Sequence, residues 1–481
     1  MERSVPMKVL FATPEAYPFV KTGGLADVSG SLPKALAGLG VEMEVVLPLY
    51  SRIAEAFREE MTFLDYTFVD LAWRHQYCGV FKLVKEGVTY YFLDNERYFK
   101  RDEVYGCFDD AERFAFFSKA VYTLLPRLSE TPPDVVHCND WQTALIPIYI
   151  REDPDPLYKG VRTVFTIHNI EYQGRYGIET LEDVCGLPVR LFNNGIIKYK
   201  EDINLMKGAI YTADFVTTVS PSYVEELKDP WYACGLHSVI SENSHKLRGI
   251  LNGIDNRVHS PALDRNLCKK FSKKNPSGKI ADKAELQHIM GLREDPDVPI
   301  IITVSRLVGH KGFDLILSTI DSIMQEDLQF VVLGTGDWNF EQGLLSAARR
   351  YPGKLSVNIK YATNLASKLY GGADMILMPS RSEPCGLSQM IAMRYGTVPI
   401  VRETGGLKDT VSPYLSPHST GFSFAAYNAS DMLYVIREAT DLYRTDKEAW
   451  HGLMYRCMDA DFSWKRSALQ YIDIYNELSG Q

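Results

Sequence analysis

Thr22-Gly23-Gly24-Leu25-Ala26-Asp27 near the start of the chain and Thr404-Gly405-Gly406-Leu407-Lys408-Asp409 near its end repeat one pattern, each between a strand-like apolar run and a helix-like one. Adjacent glycines let the backbone approach a ligand closely, and the N–H groups of the helical turn that follows can face an anion. Lys21, directly before the first copy, adds a mobile positive charge. The pair of loops predicts a bound phosphate. Two Gly-rich turns that only start helices are the plainer alternative.

Further charges stand at equivalent places. Arg306 and Lys311 lie in Ser305-Arg306-Leu307-Val308-Gly309-His310-Lys311-Gly312, between a strand pattern and a helix pattern. A unit charge about 4 Å from a phosphate oxygen is worth roughly 4 kcal/mol at an effective dielectric near 20, before desolvation. Two such cations could stabilise a departing diphosphate without a metal, and the sequence carries no HExxH, Asp-rich or GxxxxGK[ST] motif. Glu383 sits in Ser380-Arg381-Ser382-Glu383-Pro384-Cys385-Gly386-Leu387-Ser388, again strand, turn, helix, with the amides of Gly386, Leu387 and Ser388 open to a phosphate. His168-Asn169 and Asn139-Asp140-Trp141 end two apolar runs; His168 and Asp140 could meet sugar hydroxyls, or form a capped loop with a satisfied core histidine. Asn252-Gly253 by itself signals a turn.

The elements that must position these residues follow from periodicity. Short β-branched runs alternate with helical patterns throughout, which predicts an α/β fold with parallel sheets and crossover helices. Strands are expected at 8–12, 44–47, 134–138, 163–167, 215–219 and 249–251, and in a second series at 299–305, 329–333, 356–361, 375–378 and 398–401. Phe313, Ile316, Leu317 and Ile320 share one helical face. The basic stretch 262–282, with Lys269, Lys270, Lys273, Lys274 and Lys279, is expected to be a solvated linker between two doubly wound halves that present their strand ends to one cleft. Residues 461–478 place Ala468, Leu469, Ile472 and Tyr475 on one face.

Composition sets bounds. The 481 residues, 46% hydrophobic, can bury large cores in two or three domains. A net charge of −9 argues against a nucleic-acid surface. No apolar stretch is long enough to span a membrane and residues 1–6 do not read as a signal peptide, so a cytoplasmic protein is expected. The eight cysteines show no CxxC or paired spacing, which suggests neither a disulfide framework nor a zinc site.

Residues 21–28 together with Glu383-Pro384-Cys385-Gly386-Leu387 resemble the bacterial glycogen synthase and plant starch synthase family, over roughly residues 7–478. Tyr172-Gln173-Gly174, Leu251-Asn252-Gly253-Ile254-Asp255, Leu333-Gly334-Thr335-Gly336-Asp337 and the second TGGL copy support the resemblance in order. It implies a GT-B fold of two Rossmann-like domains, 7–260 completed by a helix at 461–478, and 261–460. It further implies retaining transfer of glucose from ADP-glucose to the non-reducing end of an α-1,4-glucan, such as glycogen, with no cofactor.

By position, Lys21, Arg306 and Lys311 would hold the diphosphate with Gly24 and the amides at Gly386, Leu387 and Ser388, Cys385 lining the same loop. Glu383 and His168 would grip the glucosyl unit beside Asn252, and Tyr361 would flank the adenine. Asp27, Tyr105 and Asp140 would lie where donor sugar and acceptor meet, and Glu15 fits the family's first loop. Asn139, Gln142 and Ser382 depart from common family residues. Many other retaining GT-B enzymes have a second glutamate where Ile391 stands, an absence that resembles the starch-synthase branch. A GT-B transferase using another nucleotide sugar or a small acceptor, and a silent glucan-binding scaffold, are the competing readings.

Overall fold

The computed structural model describes residues 6–128 and 131–480. These form two compact units: one holds the residues up to Gly253 together with those from Trp464 onward, and the other runs Ile254–Ser463.

The first unit is built on β1 (Lys8–Ala12), β2 (Glu42–Pro48), β3 (Thr62–Leu71), β4 (Arg74–Lys85), β5 (Val88–Asp94), β6 (Val135–Asn139) and β7 (Arg162–Ile167). A small side sheet follows, β8 (Arg175–Gly177), β9 (Lys198–Tyr199) and β10 (Asp202–Asn204), and then β11 (Phe215–Thr218) and β12 (Leu247–Gly249) return to the main sheet. Its order is β12-β11-β7-β6-β1-β2-β5-β4-β3, with only β4 antiparallel to its neighbours. The central strand β1 is buried at every position, as expected where helices cover both faces. The chain winds one way from β1 to β2 and the other way to β6, so the loops after β1 and β6 flank a topological switch point.

The second unit contains β13 (Ile300–Val304), β14 (Gln329–Gly334), β15 (Leu355–Ile359), β16 (Met375–Met378), β17 (Val398–Arg402) and β18 (Phe422–Phe424), all parallel, in the order β15-β14-β13-β16-β17-β18. This is the doubly wound Rossmann order, with the switch point between β13 and β16. Helix Phe313–Ile323 crosses back from β13 and buries Phe313, Leu315, Ile316, Ile320 and Ile323, while Leu317, expected inside, is only half-buried.

Two further expectations are corrected. The stretch 262–282 is not a linker: it lies inside the second unit, and the chain divides at Gly253/Ile254 instead. Helix Ser277–Ile289 starts within it and buries Lys279, whose Nζ donates to the carbonyls of Gly371 (3.0 Å) and Tyr395 (2.9 Å) and to Thr397 Oγ1 (3.0 Å). Burial pushes that amine down to about 8. The final helix, Trp464–Ser479, belongs to the first unit and meets helix Gly24–Ala37. It buries Trp464, Ala468, Tyr471, Ile474 and Tyr475, leaving Leu469 open, so its inner face is rotated from the one expected.

Candidate active site

In the second unit the loops after β13 and β16 deliver opposite charges to the switch point. Lys311 Nζ lies 2.8 Å and 2.7 Å from the two oxygens of Glu383, a bidentate pair with side-chain exposures of only 16% and 8%. Ser380 Oγ donates to the same carboxylate at 3.0 Å. Removing one member of so enclosed a pair leaves the other charge uncompensated. Arg306, on the same loop as Lys311, is exposed, and Tyr361, after β15, is 73% exposed. Cys385 is buried, and Gly386 (φ +72°), Leu387 and Ser388 run into the short helix Ser388–Arg394.

The second TGGL copy does something other than expected. The Gly406 N–H donates to the carbonyl of Glu383 at 3.1 Å, so it is not open to an anion. A Cβ on Gly405 would come 2.1 Å from the Glu383 carbonyl oxygen, and one on Gly406 would come 2.0 Å from that of Cys385. These glycines exist so that the loop carrying Glu383 can lie directly on the helix start. Arg402, at the end of β17, reinforces the loop by donating to the carbonyls of Arg381 (2.8 Å) and Ser380 (3.3 Å). Neither Arg402 nor Ser380 was singled out in the sequence. An arginine closing an apolar strand was the available signal.

In the first unit the loop after β1 holds Lys21 against Asp27, at 2.6 Å and 2.7 Å to its two oxygens. Gly23 caps helix Gly24–Ala37, and no side chain caps that terminus. Buried Glu15 accepts from the Thr22 backbone N–H (2.6 Å) and hydroxyl (2.8 Å), which fixes the glycine loop; burial raises its carboxyl above the usual range. Tyr105 shares this neighbourhood: burial first, then the Glu15 and Asp140 charges, push its phenol well up.

Asp140, just after β6, has φ +57° and ψ 177°, a backbone region that costs a residue with a side chain of order 1–3 kcal/mol. It is held there by its N–H to the Thr166 carbonyl (3.0 Å) and by Oδ1 accepting the His168 N–H (2.8 Å). Desolvation pushes its carboxyl up to about 7, although the His168 and Asn169 amides pull the other way. His168 Nε2 meets Asn139 Oδ1 at 2.9 Å, and Asn139 Nδ2 donates to the Ala12 carbonyl at 3.0 Å. The second bond orients the amide, so Nε2 carries the proton of a ring that burial keeps neutral, with a pKa of about 3. Asn252 is buried with an Oδ1 that has no hydrogen-bond partner among the described residues. A cavity of about 440 Å³ beside β8 is lined by Trp141, Tyr172, Gln173, Arg175 and Tyr176, so the Tyr172-Gln173-Gly174 motif faces open space.

The structure thus brings Lys311 to Glu383, Lys21 to Asp27, and Asp140 to His168 and Tyr105. The starch synthase catalytic domain family matches residues 8–242, and glycosyl transferases group 1 matches residues 287–449. Glycogen synthases from Clostridium novyi and Geobacillus stearothermophilus are 46% and 47% identical over 476 residues, covering 98% of this chain and 99% and 98% of theirs.

The chain belongs to the glycogen and starch synthase family.

Among solved structures, the catalytic domain of starch synthase IV from Arabidopsis thaliana, bound to ADP and acarbose, superimposes with a TM-score of 0.92 at 33% identity, covering 99% of this chain and all of that one. Sucrose-phosphate synthase from Thermosynechococcus elongatus, at TM-score 0.62 and 16% identity, shares the fold. The chain is therefore a glucosyltransferase enzyme of GT-B fold. Within this family frame the three departures have distinct surroundings. Asn139 orients His168, Gln142 is buried with Oε1 unpartnered among the described residues, and Ser382 is half-buried ahead of Glu383.

Proposed function

We propose that this enzyme transfers glucose from ADP-glucose to the non-reducing end of an α-1,4-glucan with retention of configuration. The observation that carries this reading is the enclosed Lys311–Glu383 pair at the switch point of a fold that a relative uses with ADP and acarbose bound. Breaking the bond from anomeric carbon to diphosphate makes the leaving group more negative and the sugar ring more positive, so fixed countercharges lower the barrier. Lys311 and Arg306 stabilise the departing ADP, with Lys21, Gly24 and the Gly386–Ser388 amides as further phosphate contacts and Tyr361 against the base. Glu383, released from Lys311 as the diphosphate engages that lysine, supports the oxocarbenium-like glucosyl group.

His168 grips the same sugar by hydrogen bonding as a neutral ring. Asn252, with its spare buried acceptor, takes a sugar hydroxyl, and Asp27, Tyr105 and Asp140 line the acceptor side. A paired-carboxylate mechanism needs two acids flanking one bond, and the sequence offers Glu383 as the one strong candidate, which favours a same-face route in which the leaving phosphate accepts the acceptor's proton and configuration is retained.

The test is ADP release and polymer growth with glycogen, comparing ADP-glucose and UDP-glucose, with the configuration of the new linkage read by proton NMR. The expected result is α-linked growth from ADP-glucose at a kcat/KM at least tenfold above that from UDP-glucose. A preference for UDP-glucose, growth only on small acceptors, or glycogen binding without ADP release would each replace the proposal.

A further inference from the structure

We propose that Cys268, Asp282 and Glu285 form a binding site for one thiophilic divalent cation of the zinc class, built on residues of the second unit that take no part in the candidate active site. The Cys268 sulfur and one oxygen from each carboxylate lie within 4.8 Å of one another. Asp282 and Glu285 are three residues apart on helix Ser277–Ile289 and so project from one face. Gly278 is on that face too, and a Cβ there would come 2.6 Å and 2.7 Å from the carbonyl oxygens of Lys269 and Lys270. The incoming loop therefore lies directly on the helix, and the Lys269 N–H donates to Asp282 Oδ1 at 3.1 Å, which fixes Cys268 alongside.

The independent sign of a ligand is the other oxygen of Asp282. The residue is 3% exposed, yet Oδ2 has no hydrogen-bond partner among the described residues. A buried carboxylate oxygen without a donor is costly, and a cation supplies the missing partner. Glu285 keeps Lys368 Nζ at 2.9 Å on Oε1, leaving its other oxygen for the metal. In tetrahedral zinc geometry, bonds of about 2.3 Å to sulfur and 2.0 Å to oxygen put the ligand atoms roughly 3.3–3.5 Å apart. Cys268 is exposed and Glu285 half-buried, so both can rotate inward by that margin while Asp282 stays fixed.

One thiolate with two carboxylates and a water suits zinc-class ions over magnesium or calcium, which take oxygen ligands. Binding exchanges the thiol proton for the metal, the proton passing to solvent, with no change of oxidation state. The bound ion would pin the loop to the helix.

The experiment uses the full-length protein, stripped with chelator and titrated with Co²⁺. The expected result is a near-ultraviolet thiolate-to-cobalt charge-transfer band saturating at one equivalent, displaced by Zn²⁺, with Zn²⁺ raising Tm by about 2–4 °C. Cys268→Ser should abolish the band, Glu285→Gln should weaken binding at least tenfold, and Cys234→Ser, which removes the other exposed cysteine, should leave it intact. Cys268 is exposed and Glu285 only half-buried, so these variants report on the site even if Asp282→Asn fails to fold. No band at millimolar cobalt, or a band that survives Cys268→Ser, overturns the proposal.

Discussion

Lys311 and Glu383 form an ion pair that water barely reaches, with Ser380 as the carboxylate's further partner. Taking away the ammonium leaves a nearly buried negative charge with one hydroxyl, so Lys311→Met is expected to destabilise by about 3–5 kcal/mol. Lys311→Met/Glu383→Gln should be more stable than Lys311→Met alone, because the double variant buries no unpaired charge. Urea denaturation of the parent, Lys311→Met, Glu383→Gln and the double variant measures this directly. A double variant no more stable than Lys311→Met would show that the pair is not coupled in the fold. Turnover should fall by about 10²-fold or more in either single variant and little further in the double, since residues that act as a unit are not additive. These residues were legible from type and position after strands; their mutual pairing was not, because a carboxylate and an ammonium seventy-two positions apart leave no mark on each other in the sequence.

At the scale of elements, the two glycine pairs look alike on paper and differ in three dimensions. A Cβ on Gly23, whose φ of −153° is ordinary extended backbone, would find only Glu15 Oε1 at 3.8 Å, whereas one on Gly405, the equivalent position of the second copy with φ +43°, would strike the Glu383 carbonyl oxygen at 2.1 Å. Gly405→Ala is therefore expected to cost about 1–3 kcal/mol and to cut turnover by displacing Glu383, while Gly23→Ala leaves thermal stability within about 0.5 kcal/mol. Thermal melts with parallel assays decide it. Equal effects at the two sites would mean the loops are built alike after all.

Strands with unbroken apolar runs, such as β13 and β16, were read to within a residue. β5, buried from Tyr90 to Leu93, offered an apolar run that was passed over, whereas β3 was illegible because most of it is exposed on both faces, with Phe63, Tyr66 and Phe68 about half open to solvent. Neither a buried run nor a clean alternation survives there. The parallel sheet expected for the first unit is accordingly mixed at that edge.

The whole molecule's response to acid follows from groups held uncharged inside it. His137 is fully buried, bonded through Nδ1 to Tyr475 OH (2.7 Å) and through Nε2 to Thr166 Oγ1 (2.6 Å); desolvation, with a smaller push from His168, lowers its pKa to about 3. The unfolded ring titrates near 6.5, so between about 6.5 and 3 the unfolded chain holds a proton that the folded one lacks. Its contribution is fully present above about 6.5 and is lost as pH falls, by roughly 1.4 kcal/mol per pH unit. His168 acts in the same sense. Asp140 and Glu15, whose carboxyls are raised, act in the opposite one, favouring the fold on the acid side. His137→Gln should accordingly flatten the stability profile between pH 6.5 and 4.5 by one proton relative to the parent, measured by urea midpoints across that range. Identical slopes would contradict the assignment. Sequence alone marked His168 as a polar residue after a strand but passed over His137, since an alternating strand position carries no sign that its partner is a tyrosine far along the chain.

That tyrosine sits on helix Trp464–Ser479, which also donates from Ser467 to the Leu251 carbonyl of the first unit. The first unit is thus interrupted by the whole of the second, and its closing piece leaves the ribosome only after every residue of that insertion. Biosynthesis cannot finish this protein from one end to the other. The earlier portion must wait, with the seat of Tyr471 and Tyr475 exposed, for a segment translated some two hundred codons later, and a message cut short would strand a Rossmann sheet with one flank bare.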